Sequence, residues 1–506
     1  MARWFLDRSP QRGIPSVSLR RLLPEARFVG CQDWAVSGCT ADTRKLDPGQ
    51  LFVAVRGERV DGHAFVGRAL ERGAAGVVVE RPCPEAGRLQ VVVDDSRSAL
   101  ARISHALAGD PAGKTRVAGV TGRRGKSATA ILLGSILRAG GESVGSIGRS
   151  GWSDGASDRP TGPGSPGAEG FASMLATIAE RRCDSAVLEV DDRSIDRREV
   201  DGVAFEEVVV TGLGGPGSEA LIARRRSFAR LARLVGPGGS VVFNADEPEA
   251  DVLGAVNLEA RRVTFGRDRP AHVSAAVDRI DASGSTFRLR GFEREATVTL
   301  RLAGEEHLGH ALAAAAVAWA RGVDVQAVVD GLEAVTRLPG RLEPVREGQD
   351  FEVWVDRART APDLARALAS IRALGAGRVI CVTGAEGGLD RLRRAALGQA
   401  AESGADRVLL TTDNPRAEDP DQILDDLLAG FHHPGRARVE PDRRAAIAFA
   451  LAEARPGDAV LIAGKGHHNH QILADRVLPF DDAEVAARWL RARRSIRRSI
   501  RRSIPA

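Results

Sequence analysis

The stretch GVTGRRGKSATA, Gly119 to Ala130, sets Gly119, Gly122 and Gly125 at even intervals ahead of Lys126 and Ser127. A glycine-rich turn between a strand and a helix points backbone N–H groups at phosphate oxygens, and the helix N-terminus adds positive potential. In this GxxGxxGKS spacing Lys126 lies along the outer phosphates, and the Ser127 hydroxyl is placed to hold magnesium. The same glycines would also suit a turn with no ligand; the strand before them and the GKS-to-helix junction after them favour phosphate. Composition points the same way. Only four lysines, Lys45, Lys114, Lys126 and Lys465, occur among 72 basic residues, so arginine is the default cation and lysine at 126 implies a need for a compact ammonium.

The elements that must position this loop alternate along the chain. Up to about residue 108, short apolar runs (LFVAVRG, AAGVVVE, LQVVVDD) alternate with helical stretches such as HAFVGRALERG, and the turn cluster AGDPAGKT closes this α/β segment. From Thr115 the order is strand, glycine turn, helix, then strands at SAVLEV, EVVVTGL and GSVVFNAD, which predicts a mostly parallel sheet covered on both faces. Residues 149–170, rich in Gly, Ser and Pro, read as a flexible loop, and Ala271 to Leu302 as an antiparallel insert. The helix LGHALAAAAVAWARG and the turn RLPGRLEPV precede further strands FEVWVD, RVICVTG, DRVLLTTD and DAVLIAG, a second parallel α/β unit. The predicted fold class is therefore α/β, with three α/β domains in series: 1–108, a central P-loop-type domain at 109–336, and a Rossmann-like domain at 337–490.

Composition narrows the function classes. The formal charge of +5 includes a tail from Arg491, RARRSIRRSIRRSIPA, with seven arginines and no acid, so the remainder carries −2. The body has no basic footprint for nucleic acid, and the tail, 491–506, reads as a disordered segment able to touch anionic surfaces. Five cysteines, Cys31, Cys39, Cys83, Cys183 and Cys381, form no CxxC pair, which suits reduced structural thiols. No apolar run approaches a membrane span and the first residues lack a secretory core, so a cytoplasmic protein is expected. The absence of tyrosine has no physical account.

The phosphate loop, LFVAVRGERVDGHAF, VDGVAF, LPGRLE, TTDNPRAEDP and AGKGHHNHQ stand in an order that resembles the Mur ligases, from about Cys39 to Leu490. The resemblance implies a three-domain cytoplasmic enzyme of peptidoglycan synthesis using ATP and Mg2+. In such enzymes ATP phosphorylates a carboxylate of a UDP-MurNAc-peptide precursor, and the amine of an added amino acid displaces the phosphate. TDNPR with GKGH points to the branch that adds a diamino acid, meso-diaminopimelate favoured. By the same resemblance Gly122, Gly125, Lys126 and Ser127 meet the phosphates, and Ser127 and Glu189 hold magnesium, Lys126 and Glu189 being the catalytic pair. His307, Arg341 and Asp356 fall on the nucleoside side, and Asp42, Thr43 and Arg44 on the uridine nucleotide. Asp413, Asn414, Arg416 and Gly464 fall on the added amino acid, where a guanidinium grips the distal carboxylate. Taken alone, DNP is also a common turn, Glu189 a strand cap and Arg44 a surface cation.

The chain departs from the family pattern at defined places. Arg123, Arg124 and Ala128 alter the phosphate loop, and Asp191, Asp192 and Arg193 replace a Ser-Ser-His after Glu189. Arg224, Arg225 and Arg226 stand where the family carbamylates a lysine to bridge metals; a guanidinium forms no carbamate and repels magnesium. His307 and His310 replace asparagines, Arg357 and Arg359 alter the stretch after Asp356, and His468 replaces a glutamate. Gly387, Gly388, Leu389 and Asp390 are what remains of a family GGDRD segment. The cluster His467, His468 and His470 lacks carboxylate or cysteine neighbours in sequence and reads as a loop or nucleotide edge rather than a metal site. Nucleotide binding is expected, and two-metal ligation is weakened. The alternative to a ligase is a catalytically impaired relative that binds nucleotide or wall precursor in a regulatory or scaffolding role.

Overall fold

The structure is a computed structural model and describes residues 16–30, 32–57, 60–149, 151–161, 165–214, 219–248, 250 and 259–503. The chain forms two compact units: residues up to Ser274 with Leu312–Val328, and Ala275–Ala311 with Val329 onward.

The first unit opens on strands β1 (Arg27–Val29), β2 (Cys39–Thr40), β3 (Leu51–Val53), β4 (Gly76–Val79) and β5 (Gln90–Val92), ordered β1-β5-β4-β3-β2. All neighbours are parallel except β1 and β5. The alternating apolar runs bury both faces of this sheet, with Leu51, Val53, Val78 and Val91 on one side and Phe52, Val77 and Val79 on the other. Helix α1 (Ser96–Leu107) starts at Asp95, whose carboxylate accepts from the N–H groups of Arg97 and Ser98.

A second sheet carries the phosphate loop. Its strands include β6 (Arg116–Thr121), β7 (Val144–Gly148), β8 (Gly151–Ser153), β9 (Asp158–Arg159), β10 (Ser185–Glu189), β11 (Phe205–Val210), β12 (Val235–Asn244), β13 (Arg261–Gly266) and β14 (Val273–Asp281). The order is β9-β8-β7-β10-β6-β11-β12-β13-β14, parallel from β7 to β14. Helix α2 (Lys126–Ala139) follows β6, α3 (Gly167–Glu180) precedes β10, α4 (Asp192–Asp196) follows it, and α5 (Glu219–Ala232) follows β11. Gly202 of VDGVAF is required by packing, because a Cβ there would lie 2.6 Å from the His105 ring and 2.7 Å from the Ala101 carbonyl on α1. Arg321 clamps Glu207 of β11 through two hydrogen bonds of 3.0 and 2.6 Å, and both side chains are buried.

Two sequence expectations change here. Residues 149–170 are not a continuous flexible loop: β8 and β9 form an antiparallel hairpin, and buried Asp154 orders its turn by accepting from Ala156 N at 3.0 Å and Ser157 N at 2.7 Å. The insert is antiparallel only in part, since β14 begins by pairing parallel with β13 through Phe265–Val273. Strands β15 (Gly284–Arg290) and β16 (Ala296–Leu300) do pair antiparallel.

The second unit contains a six-stranded sheet: β17 (Glu343–Pro344), β18 (Glu352–Asp356), β19 (Val379–Thr383), β20 (Arg407–Leu410), β21 (Ala437–Val439) and β22 (Ala459–Ala463). The order β17-β18-β22-β19-β20-β21 is parallel beyond its first pair, as the apolar runs predict. Helices α6 (Ala361–Ala373), α7 (Arg391–Gly404), α8 (Pro420–Leu428) and α9 (Arg443–Glu453) connect these strands, and a hairpin of β23 (His470–Ile472) and β24 (Val477–Pro479) follows β22.

The last helix, α10 (Asp482–Ser503), runs through most of the tail expected to be disordered. A four-residue period lies close to the helical 3.6, and arginine is a good helix former. Arg491 and Arg494 both reach Glu347, and Arg493 donates to the Leu451 carbonyl. Among the described residues no helix is long and apolar enough to cross a membrane. Cys39, Cys83, Cys183 and Cys381 are free thiols, and Cys31 lies outside the described residues.

Candidate active site

The first unit places the glycine turn at the C-terminal edge of β6, flanked in the sheet by β10 and β11. Ligands of open parallel sheets bind at that edge. Gly122 has φ +125° and a Cβ there would fall 2.4 Å from Thr211 Oγ1, so only glycine fits the turn. The Arg123 N–H donates to the Gly212 carbonyl at 2.9 Å, pinning the loop to the segment after β11. Gly125, at φ +79°, opens α2 without a side-chain cap, so the N–H groups of the helix's first turn are directed at the loop. Arg123 and Arg124 are exposed and do not fill the turn.

Lys126 curls over this loop and donates to the Gly122 carbonyl. Burial pulls its ammonium below the ordinary value, while Asp192 and Glu189 push it back up. Ser127 Oγ donates to Glu189 Oε2 at 2.9 Å, joining the head of α2 to the end of β10. Magnesium takes hard oxygen donors, needs only one or two protein oxygens beside those of a phosphate, and so fits this hydroxyl and carboxylate. No group of three His, Cys, Asp or Glu converges among the described residues. Next to the pair, Asp191 caps α4 through Ser194 N at 2.8 Å and meets Arg149 at 3.2 Å. Arg224 donates to the Leu213 carbonyl at 2.8 Å and faces Asp192 at 3.7 Å. The charge beside the carboxylates is thus guanidinium, and the residues suit one magnesium better than two.

Elsewhere in the first unit, Arg44 forms a two-pronged pair with Asp42 at 2.9 and 2.8 Å and is 82% exposed. That hydrogen-bonded guanidinium holds the Asp42 carboxyl below its ordinary range. Thr43, between them, is buried.

The second unit gathers the remaining candidates around the C-terminal ends of β18, β19, β20 and β22. Lys465 is fully buried and its Nζ meets Asp413 Oδ1 at 3.0 Å, Asp413 O at 3.2 Å, Asn414 Oδ1 at 2.9 Å and His470 O at 3.1 Å. Burial opposes the charge of Asp413, but Lys465, Arg443 and Arg359 outweigh it and hold the carboxyl below its ordinary value. Asp413 and Asn414, expected against substrate, are buried, and both hold Lys465 in their own loop. Arg416, two residues on, is exposed at φ +58°, a backbone region that non-glycine residues seldom occupy. Gly464, at φ +117°, accepts from Arg359 Nε at 2.8 Å. Arg359 also touches His468 Nδ1 at 3.2 Å, and burial drives His468 down to about 3, which leaves it neutral.

Asp356 accepts from Leu342 N at 2.9 Å and Ala358 N at 2.8 Å, tying β18 to the LPGRLE turn beside Arg341. His307 is buried with its Nδ1 3.3 Å from that of His310, and burial lowers it to about 3. The structure therefore brings Gly122, Gly125, Lys126, Ser127 and Glu189 together in one unit. It groups His307, Arg341 and Asp356, and separately Asp413, Asn414, Arg416 and Gly464, in the other.

Two participants were missed by sequence reasoning. Glu386, in the turn after β19, pairs with Arg359 at 3.1 Å and accepts from Asn414 Nδ2 at 3.2 Å. Arg443 forms a fully buried pair with Asp482 at 2.7 Å and donates to the Ala463 carbonyl at 3.0 Å, holding the end of β22. The available signal for Glu386 was an acid inside a glycine turn at the end of a buried strand; Arg443 had none.

Family models match three successive segments: "Mur ligase family, catalytic domain" over 35–107, "Mur ligase middle domain" over 120–318, and "Mur ligase, glutamate ligase domain" over 340–466. A relative from Syntrophomonas wolfei subsp. wolfei, called UDP-N-acetylmuramoyl-L-alanyl-D-glutamate--2,6-diaminopimelate ligase, is 34% identical over 473 residues, 92% of this chain and 96% of its own. A relative from Gloeobacter violaceus with the same name is 35% identical over 493 residues, 95% of this chain and 100% of its own. A solved structure of a protein of that name superposes with a TM-score of 0.69 at 27% identity, covering 95% of this chain and 100% of its own.

Proposed function

The chain belongs to the Mur ligase family, and from that premise we propose that it joins a diamino acid, meso-diaminopimelate, to UDP-MurNAc-dipeptide in the cytoplasm at the expense of ATP. The observation that carries the reading is the Ser127–Glu189 oxygen pair beside Lys126, at the head of a helix opened by an uncapped glycine. A loop that served only as a turn would have no use for a cation, a hydroxyl and a carboxylate converging there. Relatives similar over almost their whole length carry ligase names, which favours the ligase over the non-catalytic alternative.

In the proposed reaction an oxygen of the dipeptide's terminal carboxylate attacks the γ-phosphorus, and ADP leaves with the electron pair of the broken P–O bond. The amine then attacks the acyl carbon, loses a proton, and phosphate departs with the C–O bonding pair. Lys126 and the amides after Gly122 hold the outer phosphates and neutralise charge that would otherwise repel the carboxylate. Ser127 and Glu189 are the ligands for magnesium, which when bound withdraws charge from the transferring phosphoryl group. Arg341, whose charge acts on both Asp356 and His307, sits on the nucleoside side. Thr43 and Arg44 meet the uridine nucleotide, with Asp42 orienting the guanidinium. Asp413, Asn414 and Gly464 position the loop from which Arg416 takes a carboxylate of the added amino acid.

The test is product formation by the purified chain from ATP, magnesium, UDP-MurNAc-dipeptide and meso-diaminopimelate. Mass spectrometry should show UDP-MurNAc-tripeptide with one phosphate released per amide. Absence of tripeptide from folded protein, with an active relative run alongside, overturns the reading.

A further inference from the structure

We propose that Arg224 is a further catalytic residue, its guanidinium donating to an oxygen of the γ-phosphoryl group as that group passes from ATP to the substrate carboxylate. The inference rests on the ligase reading above and assigns to a side chain the charge that a second metal ion would otherwise bring.

The placement of Arg224, on α5, carries it. In the sheet β6 lies between β10 and β11, and the glycine turn leaves from its end. Asp192 belongs to the connection after β10, and Leu213 to the connection after β11. Arg224 reaches both. Its Nη1 donates to the Leu213 carbonyl at 2.8 Å, and its Nε stands 3.7 Å from Asp192 Oδ2, a Coulombic distance too long for a hydrogen bond. A guanidinium that meets both flanking connections spans the mouth of the strand between them. The Leu213 segment is itself fastened to the glycine turn, since Thr211 Oγ1 donates to the Thr121 carbonyl at 3.1 Å and Arg123 N to the Gly212 carbonyl at 2.9 Å. Asp192 links the same guanidinium to Lys126, because its charge acts on that ammonium too. The Arg224 side chain is 18% exposed, so a ligand can reach it. Among the described residues its contacts engage Nη1 and Nε, and Nη2 remains for a ligand oxygen.

A carboxylate approaching a triphosphate sets negative charge against negative charge. One magnesium and one ammonium bring fewer positive charges than the triphosphate alone carries negative, so a further cation lowers the barrier. Arginine suits the task, because its planar fork can hold a protein carbonyl and a phosphoryl oxygen at once and stays protonated throughout. No bond of Arg224 forms or breaks. The carboxylate oxygen bonds to the γ-phosphorus, the electron pair of the broken P–O bond leaves with ADP, and the guanidinium neutralises the charge between them. The lysine carbamate that the family pattern places near here cannot form on arginine, so this cation is a departure of the present chain.

The experiment compares full-length wild type, R224A and R226A in tripeptide formation from ATP, magnesium, UDP-MurNAc-dipeptide and meso-diaminopimelate. R224A should lower kcat about a hundred- to a thousandfold, with the dissociation constant of a non-hydrolysable ATP analogue changed less than about threefold. Guanidinium ion, added well below denaturing concentrations, should raise the kcat of R224A at least about tenfold and leave wild type unchanged. R226A, which removes an exposed charge from the same helix, should stay within about twofold of wild type. A second readout needs no turnover. With the analogue bound and manganese in place of magnesium, electron paramagnetic resonance should count one ion per chain.

A kcat for R224A within about threefold of wild type, or an equal loss in R226A, makes Arg224 a strap for Leu213 and defeats the proposal. Loss without rescue by guanidinium, or two manganese ions per chain, defeats it as well. Should R224A not fold, R224K is read instead: loss confined to kcat supports the proposal, and equal loss of kcat and analogue affinity refutes it. Failure of the ligase reading looks different, since wild type then makes no tripeptide and this inference falls with it. Turnover by wild type with undiminished R224A overturns this inference alone.

Discussion

Lys126 and Lys465 are two of the four lysines in a chain that otherwise uses arginine, and their surroundings are opposite. Lys126 is half-buried at the mouth of a loop and donates to one carbonyl, that of Gly122. Lys465 has no exposed surface and meets four oxygens between 2.9 and 3.2 Å. Both places suit a compact ammonium, the first, on the proposed reading, to lie along phosphates and the second to fill a small space lined by four oxygens. At these two positions lysine marks a demand for that shape of cation, and only its partners tell whether a ligand or the protein itself makes the demand.

The comparison breaks most readily at Lys465. A Lys465→Met substitution leaves Asp413 buried without its counter-ion and should lower unfolding stability by about 3–5 kcal/mol in urea titrations. Little change in stability would mean that Lys465 is held in reserve for substrate. Lys126→Met should act the other way, cutting kcat/KM at least about a hundredfold, or about 3 kcal/mol of transition-state stabilisation, with an unfolding midpoint close to wild type. A large stability loss at Lys126 would make the two lysines alike and remove the argument for a ligand there.

Acid sharpens the contrast further. The folded pKa of Asp413 lies below its ordinary 3.8, so its contribution to stability is fully present above that value and is lost as pH falls through the folded one. Wild-type stability should fall by up to about 1.4 kcal/mol per pH unit from this group below pH 3.8, measured by denaturant titration. Asp413→Asn should be less stable at neutral pH and lack that part of the acid slope. An unchanged slope in the variant would show that the Lys465 knot does not depend on the carboxylate charge.

The phosphate loop was legible because its chemistry is local: five residues fix the turn, the cation and the hydroxyl, and the strand and helix that carry them read directly from apolar period. Glu189 was reachable through order along the chain. The roles of Asp413 and Asn414 were not, because TDNPR looks the same whether its side chains face a ligand or a buried lysine more than fifty positions away. Glu386 was overlooked for a related reason, since its partners Arg359, Asn414 and Arg416 come from two other connections of the sheet. The hairpin at β8 and β9 hid behind a composition of Gly, Ser and Pro, and was settled by one buried aspartate, Asp154, ordering its turn. In the tail, charge argued for disorder, yet α10 runs through most of it, and the four-residue period of RRSI lies close to the helical one.

The smallest expected effect concerns Arg123, whose exposed side chain lies beside Gly214 in the segment after β11. Its backbone N–H, not its guanidinium, pins the turn to Gly212, so Arg123→Ala preserves the cradle. The guanidinium acts through water of high dielectric, where one charge contributes less than about 1 kcal/mol and is screened by salt. Arg123→Ala should therefore weaken ATP about two- to fivefold at low ionic strength, leave the unfolding midpoint in place, and approach wild type as salt is raised. A salt-independent loss would mean a fixed contact with the nucleotide, making Arg123 part of the site proper. Unaltered affinity at low salt would leave Lys126 and the loop amides as the whole of the cationic face, and would draw the contrast with the self-contained Lys465 more tightly still.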